Sequence, residues 1–218
     1  MKVIKVLLII GFVALGLYIG SVIVMQRMIN QASALADEHC LGVNPLIIQR
    51  KLVYLDTNQR FLETEDINIY LDGTKEYFSL ADQYVIAERD WLTKLSVFMN
   101  GLDFKILTPG ASKKVYEAQF KAYMLDAGST EALSTLYVAG NNATEAEIER
   151  FTVLTSQKND AYIEYGKAIE AVGTQNFIQK PFLRWPESVC PAENYDIPDV
   201  NDLMFPDSGK PETPEPVS

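Results

Sequence analysis

His39 is the only histidine in the 218-residue chain, and it directly precedes Cys40, one of just two cysteines; the other is Cys190. An imidazole can act as a general base and a thiolate as a nucleophile, so this pair is the natural starting point for acyl-transfer chemistry. Its spacing works against that use. Neighbours on a helix point about 100° apart, so adjacency in sequence does not bring ring and thiol together. No G-x-S-x-G elbow that could offer His39 a serine occurs in the chain. His39 is expected to be a solvated residue of a stalk.

Metal chemistry finds equally little support. Zinc draws on several Cys and His ligands, and His39, Cys40 and Cys190 are the whole supply. Asp196, Asp199, Asn201 and Asp202 could offer oxygen ligands to calcium, but the glycine and terminal glutamate of an EF-hand loop are missing. Glu145, Glu147 and Glu149 suit the amino terminus of a helix, where carboxylates are favoured, without any paired-carboxylate chemistry. There is no glycine-rich phosphate loop. No catalytic, cofactor-binding or metal-ligating residue is therefore assigned, and a hydrolase working through carboxylates alone has no residue pattern behind it.

The two cysteines have a different use. Cys40 falls just before the main helical region and Cys190 just after it. In an oxidising compartment a Cys40–Cys190 disulfide would close a loop of about 150 residues, which the chain-entropy model values at ~5 kcal/mol. The alternative is a pair of unrelated thiols. Tyr77, Tyr84, Tyr116, Tyr123, Tyr162 and Tyr165 fall on or near helix faces, where their rings can fill a core or line a ligand pocket between helices. Asn142-Ala143-Thr144 is an N-glycosylation sequon, although Thr144 is also placed to cap a helix.

What positions these residues begins at the membrane. Residues 6 to 25, VLLIIGFVALGLYIGSVIVM, carry no charge and as a helix span ~30 Å, the thickness of a bilayer's hydrocarbon core. This run exceeds the ~7–15 residues of a signal-peptide apolar region. The small-residue sites ending at Ala34 and Ala36 also lie well beyond Met25, so an uncleaved anchor is expected. Lys2 and Lys5 precede the run and only Arg27 follows closely, which keeps the amino terminus cytoplasmic. Cys40 follows Asp-Glu-His rather than the small residues of a lipoprotein signal. Gly16 stands where a type IV pilin would carry glutamate. Gly16 and Gly20 form a small-xxx-small spacing that would let a second membrane helix approach.

The expected organisation is a cytoplasmic end (1–5), a transmembrane anchor (6–25), a stalk helix (26–43), an extracytoplasmic bundle (44–176), an extended packing segment (177–205) and a disordered acidic, proline-rich tail (206–218). The fold class is mainly α, an antiparallel bundle of three long helices plus a short one. Asn44-Pro45 starts the short helix, which runs to about Leu55. Residues 67–71 alternate like a strand, with residues 102–107 as partner in a two-stranded pairing; an extended loop fits as well. From Thr74, one helical face collects Tyr77, Ala81, Tyr84, Trp91, Leu95 and Phe98, beside Phe78, Val85, Leu92 and Met99, until Asn100-Gly101. A second long helix passes Tyr116, Phe120 and Tyr123, breaks or bends near Gly128, resumes after Ser129 and finishes near Val138. A third opens on the capping box Thr144…Glu147 and ends at Gly173.

Eight of the ten prolines and eight acidic residues fall in the last 38 positions, which exclude a helix there. Phe182, Trp185, Tyr195 and Phe205 are too large and apolar for a free tail and are expected to contact the bundle or a partner. Beyond Met25 the chain carries 17 basic and 29 acidic residues, a balance that disfavours nucleic acid and anionic surfaces. The expected partners are membrane lipid along residues 6–25, other membrane or envelope proteins, and a second copy through the membrane helix. The functional expectation is a noncatalytic accessory or scaffold subunit of an envelope complex on the bacterial periplasmic side. The alternative is a small-molecule-binding bundle that senses or captures its ligand through a partner.

Overall fold

A computed structural model describes residues 2–102, 110–173, 180–184 and 186–191. Among them there is no strand. The chain forms α1 (Lys2–Gly42), α2 (Asn44–Thr64), α3 (Ile67–Leu102), α4 (Gly110–Ala139) and α5 (Glu145–Gly173), with 3-10 turns at Gly140–Asn142 and Lys180–Phe182.

α1 is one rod, as the absence of any breaker before Gly42 predicts. It is long and apolar enough to cross a membrane. Along residues 7–20 nearly every side chain is exposed, including Leu8, Phe12 and Leu17, whereas further along Ser21, Met25 and Met28 are buried. Packing against the rest of the molecule thus starts in the last two turns of the uncharged run.

α2 corrects one expectation. It is longer than the stretch 45–55, because Asp56–Arg60 and Gln59–Glu63 pairs at i,i+4 carry the helix on to Thr64. It follows α1 without a reversal. Val43, at the junction, keeps helical torsions (φ −105°, ψ −49°), and Pro45 sits in the first turn where its missing N–H is harmless. α3 then returns antiparallel to both: His39 meets Glu88, Arg50 meets Tyr84, Tyr54 meets Tyr77 and Phe61 meets Tyr70. α1 and α2 form a single bent strut.

Residues 67–71 are helical, contrary to the strand or loop reading. The α2–α3 turn is only Glu65-Asp66: Glu65 takes the left-handed conformation (φ 53°) and the Asp66 carboxylate accepts the Asn68 backbone N–H at 2.9 Å, starting α3. With five residues, Ile67 and Leu71 satisfy an i,i+4 pattern as well as an alternating one. Residues 103–107 lie outside the described residues. α3 buries Ala81, Tyr84, Val85, Trp91, Leu92 and Leu95 and half-buries Tyr77, Phe98 and Met99, the face its sequence periodicity marks.

α4 runs through Gly128 without a break. Ser129, Thr130 and Ser134 are buried rather than capping, and the Ser129 hydroxyl donates to the Asp126 carbonyl. Gly128 faces Leu154 of α5, 3.9 Å from where a Cβ would stand, an ordinary contact distance, and the helix does not bend there. Ala122, Ala127, Ala132 and Ala161 are buried and permit a close approach. α3 and α4 are antiparallel, with Phe78 stacked on Tyr137, Trp91 near Tyr123 and Phe98 against Tyr116. α5 opens on the predicted capping box: the Thr144 N–H donates to Glu147 at 2.7 Å, and the Glu147 N–H donates to the Thr144 hydroxyl at 3.3 Å.

Since Phe78 meets Tyr137 just before α4 ends, the tip of the α2–α3 hairpin extends about two turns, roughly 10 Å, past the other helices. None of residues 58–72 is buried.

Candidate functional site

Five helices converge on a polar cluster inside the apolar core. α1 supplies His39, α2 Arg50, α3 Tyr84 and Glu88, α4 Asp126 and α5 Lys158. The expectation of a solvated His39 fails because α3 returns alongside α1 and covers it. Its side chain is only 12% exposed, and Nε2 lies 2.9 Å from Glu88 Oε2. The imidazole is edge-on to Trp91 at 4.5 Å and near Tyr123 at 5.0 Å between ring centres. Trp91 is fixed in turn by donation from Nε1 to the Leu35 carbonyl at 2.8 Å.

Glu88 is 1% exposed, and its Oε1 has no hydrogen-bond partner among the described residues. Burial pushes its pKa up, the His39 hydrogen bond and charge pull it down, and Asp126 pushes it up further. About one helical turn away the Tyr84 hydroxyl donates to Asp126 Oδ2 at 2.5 Å, and Lys158 Nζ approaches Asp126 Oδ1 at 3.1 Å. The Arg50 guanidinium covers the Tyr84 ring at 4.9 Å and the Tyr77 ring at 5.6 Å. Desolvation raises the pKa of Tyr84, Tyr123 and Tyr162, so these phenols stay protonated; Tyr84 donates to Asp126, and Tyr123 and Tyr162 offer ring surface to each other.

Chemically the cluster can hold a proton between His39 and Glu88. The described grooves between α2 and α3 and those along α4 and α5 are lined by other residues. Among the described residues no group of three His, Cys, Asp or Glu side chains is placed to hold a metal ion. Asp196, Asp199, Asn201 and Asp202 lie outside the described residues.

The remaining sequence-derived positions fall along α1. Cys40 and Cys190 are both buried with Cα atoms 6.1 Å apart, within the span of a disulfide. Gln26 and the Arg184 backbone exchange two hydrogen bonds, of 2.6 and 2.8 Å, and Ser188 donates to Asp37. The described part of the expected extended segment therefore runs up α1, from Phe182 beside Tyr18 at 6.1 Å to Cys190 beside Cys40. Phe182 itself is 63% exposed. Trp185, Tyr195 and Phe205 lie outside the described residues. Around Gly16 and Gly20 an added Cβ would meet nothing within 4 Å, so that face of α1 is open.

Sequence reasoning missed Glu88 and Asp126. The available signal was an acidic residue interrupting an apolar face: Glu88 stands between Tyr84 and Trp91 on the α3 core stripe. Gly73 was missed too. An added Cβ there would lie 1.9 Å from Thr57 Oγ1, so α2 and α3 touch backbone to side chain at that point.

The fold and cluster define a class in outline: a helical bundle carried on an apolar amino-terminal helix. No protein-family model matches the chain, and comparison with curated proteins and with solved structures finds no match.

Proposed function

We propose that this protein is a membrane-anchored interaction subunit, a noncatalytic accessory or scaffold component of an envelope complex. Its amino terminus is cytoplasmic and its helical domain faces the bacterial periplasm. The observation that carries this reading is the α2–α3 tip. Leu62, Ile67, Tyr70 and Leu71 are exposed there, Leu62 at 78%, on a hairpin that protrudes past the bundle and buries nothing of its own. Exposed apolar groups grouped on a protrusion are a feature of protein-binding surfaces. The orientation rests on Lys2 and Lys5 preceding the anchor, and oxidation of the cysteine pair on the outer side accords with it.

The test is gentle extraction of the full-length chain from its own membranes, with native size and stoichiometric companions determined. A defined larger assembly is expected, and an Ile67→Asp/Leu71→Asp variant should lose the companions while unfolding at the parent's temperature. A lone ~25 kDa species would overturn the reading.

One observation favours the second reading, a small-molecule-binding bundle. A cavity of about 210 Å³ between α2, α3 and α4 is lined by Tyr54, Tyr70, Tyr77 and Phe78 with Leu133. Stabilisation by a compound in a thermal-shift panel, lost in Tyr77→Ala, would favour it.

A further inference from the structure

Phe182 is exposed in an unexpected place. Its ring stands edge-on to Tyr18, and Tyr18 lies within the uncharged run, seven residues inward of Met25, or ~10 Å along the helix. Two residues later the Arg184 backbone is clamped to Gln26, the first polar side chain beyond the run. By Ser188 and Cys190 the segment has climbed to Asp37 and Cys40, among the packed helices. Seen from its carboxyl end, the segment descends α1, passes the boundary at Arg184, and places Phe182 beside Tyr18 on a helix whose residues 7–17 are exposed.

We propose that residues 181–184 make a second contact with lipid, with Phe182 among the acyl chains of the outer leaflet and the exposed Arg184 side chain at the headgroup phosphates. The inference rests on the reading of residues 6–25 as a membrane span. Two features single out lipid over a protein partner. Phe182 stands against Tyr18, inside the uncharged run whose preceding residues 7–17 are exposed. An arginine placed just past the hydrocarbon can reach outward to phosphate while its stem stays against the boundary. Phe182 on the inner side and Arg184 on the outer side of Leu183 stand in the order of the layers they would meet. The carboxyl segment thus fixes the tilt and rotation of α1 at the bilayer surface, as interfacial anchors do.

The test uses the full-length chain in its native membranes with p-benzoylphenylalanine introduced singly as Phe12→p-benzoylphenylalanine, Phe182→p-benzoylphenylalanine and Val189→p-benzoylphenylalanine. After irradiation, adducts are identified by mass spectrometry. Phe12 reports the anchor, and Val189, exposed far up the segment, reports the aqueous side. The expected result is acyl-chain adducts at 12 and 182 in comparable yield, several-fold above 189. Lipid adducts at 12 with none at 182 would overturn the inference and leave the anchor standing, and protein adducts at 182 would return Phe182 to the role of a partner contact. Absence of lipid adducts at 12 would overturn the anchor and the inference together.

Discussion

Among the described residues His39 is the one hydrogen-bonded partner of Glu88 in the core, and burial of the carboxyl gives stability a pH dependence. Its folded-state pKa is raised by burial and by Asp126 from α4, against the pull of His39 from α1; Tyr84 and Trp91 flank it on α3 and Tyr123 faces it from α4. A carboxyl raised above its unfolded value contributes stability in full below the ordinary carboxylate pKa and loses it as pH rises through the folded value. Replacing it by Glu88→Gln removes that loss. Melting temperature measured across this window should therefore shift in favour of the variant as pH rises. A difference between variant and parent that stays constant with pH would show that Glu88 titrates in place as it would in water.

At the scale of elements, the sequence conveyed helices best where they were long and half-buried. The core stripe of α3 and the capping box of α5 were legible because many residues repeat one period and one local hydrogen-bond pattern. The α2–α3 turn was not, since Glu65 adopts a left-handed conformation that its residue type does not advertise, and Ile67 to Leu71 are too few to separate two periods. Gly128 misled for a related reason: a glycine inside an unbroken helix looks the same in one dimension as a glycine that breaks its own. Gly73, by contrast, sits where the neighbouring α2 leaves no room for a Cβ. Gly73→Ala should destabilise the chain by about 1–3 kcal/mol, the usual range for overpacking, and adding Thr57→Gly should recover much of it, read from denaturant midpoints. A neutral Gly73→Ala would mean that the two helices are free to part.

For the molecule as a whole, a first helix long and apolar enough to cross a membrane, its unbroken run to Gly42 and the approach of Cys190 to Cys40 were all readable, each from composition or simple arithmetic. The partner of His39 was not, because Glu88 is 49 residues away and only the antiparallel return of α3 brings the two together. The cysteine pair spans 150 residues and, if bonded, clasps the carboxyl segment to the first helix. Loss of the bond in a Cys40→Ser/Cys190→Ser chain should lower stability by up to ~5 kcal/mol in the chain-entropy model. Unfolding of the parent with and without reductant, alongside the variant, measures it; identical curves would mean that the thiols are unbonded.

The bent strut made by α1 and α2 also has a length. With residues 6–25 in a bilayer, the 39 residues from Gln26 to Thr64 continue outward as helix for up to ~58 Å. The exposed leucine and isoleucine at the tip are therefore carried at a set altitude above the lipid and cannot readily collapse onto it. A binding surface mounted in this way selects by distance as well as by shape: it meets a target held at that altitude and passes by the same target lying flat on the membrane.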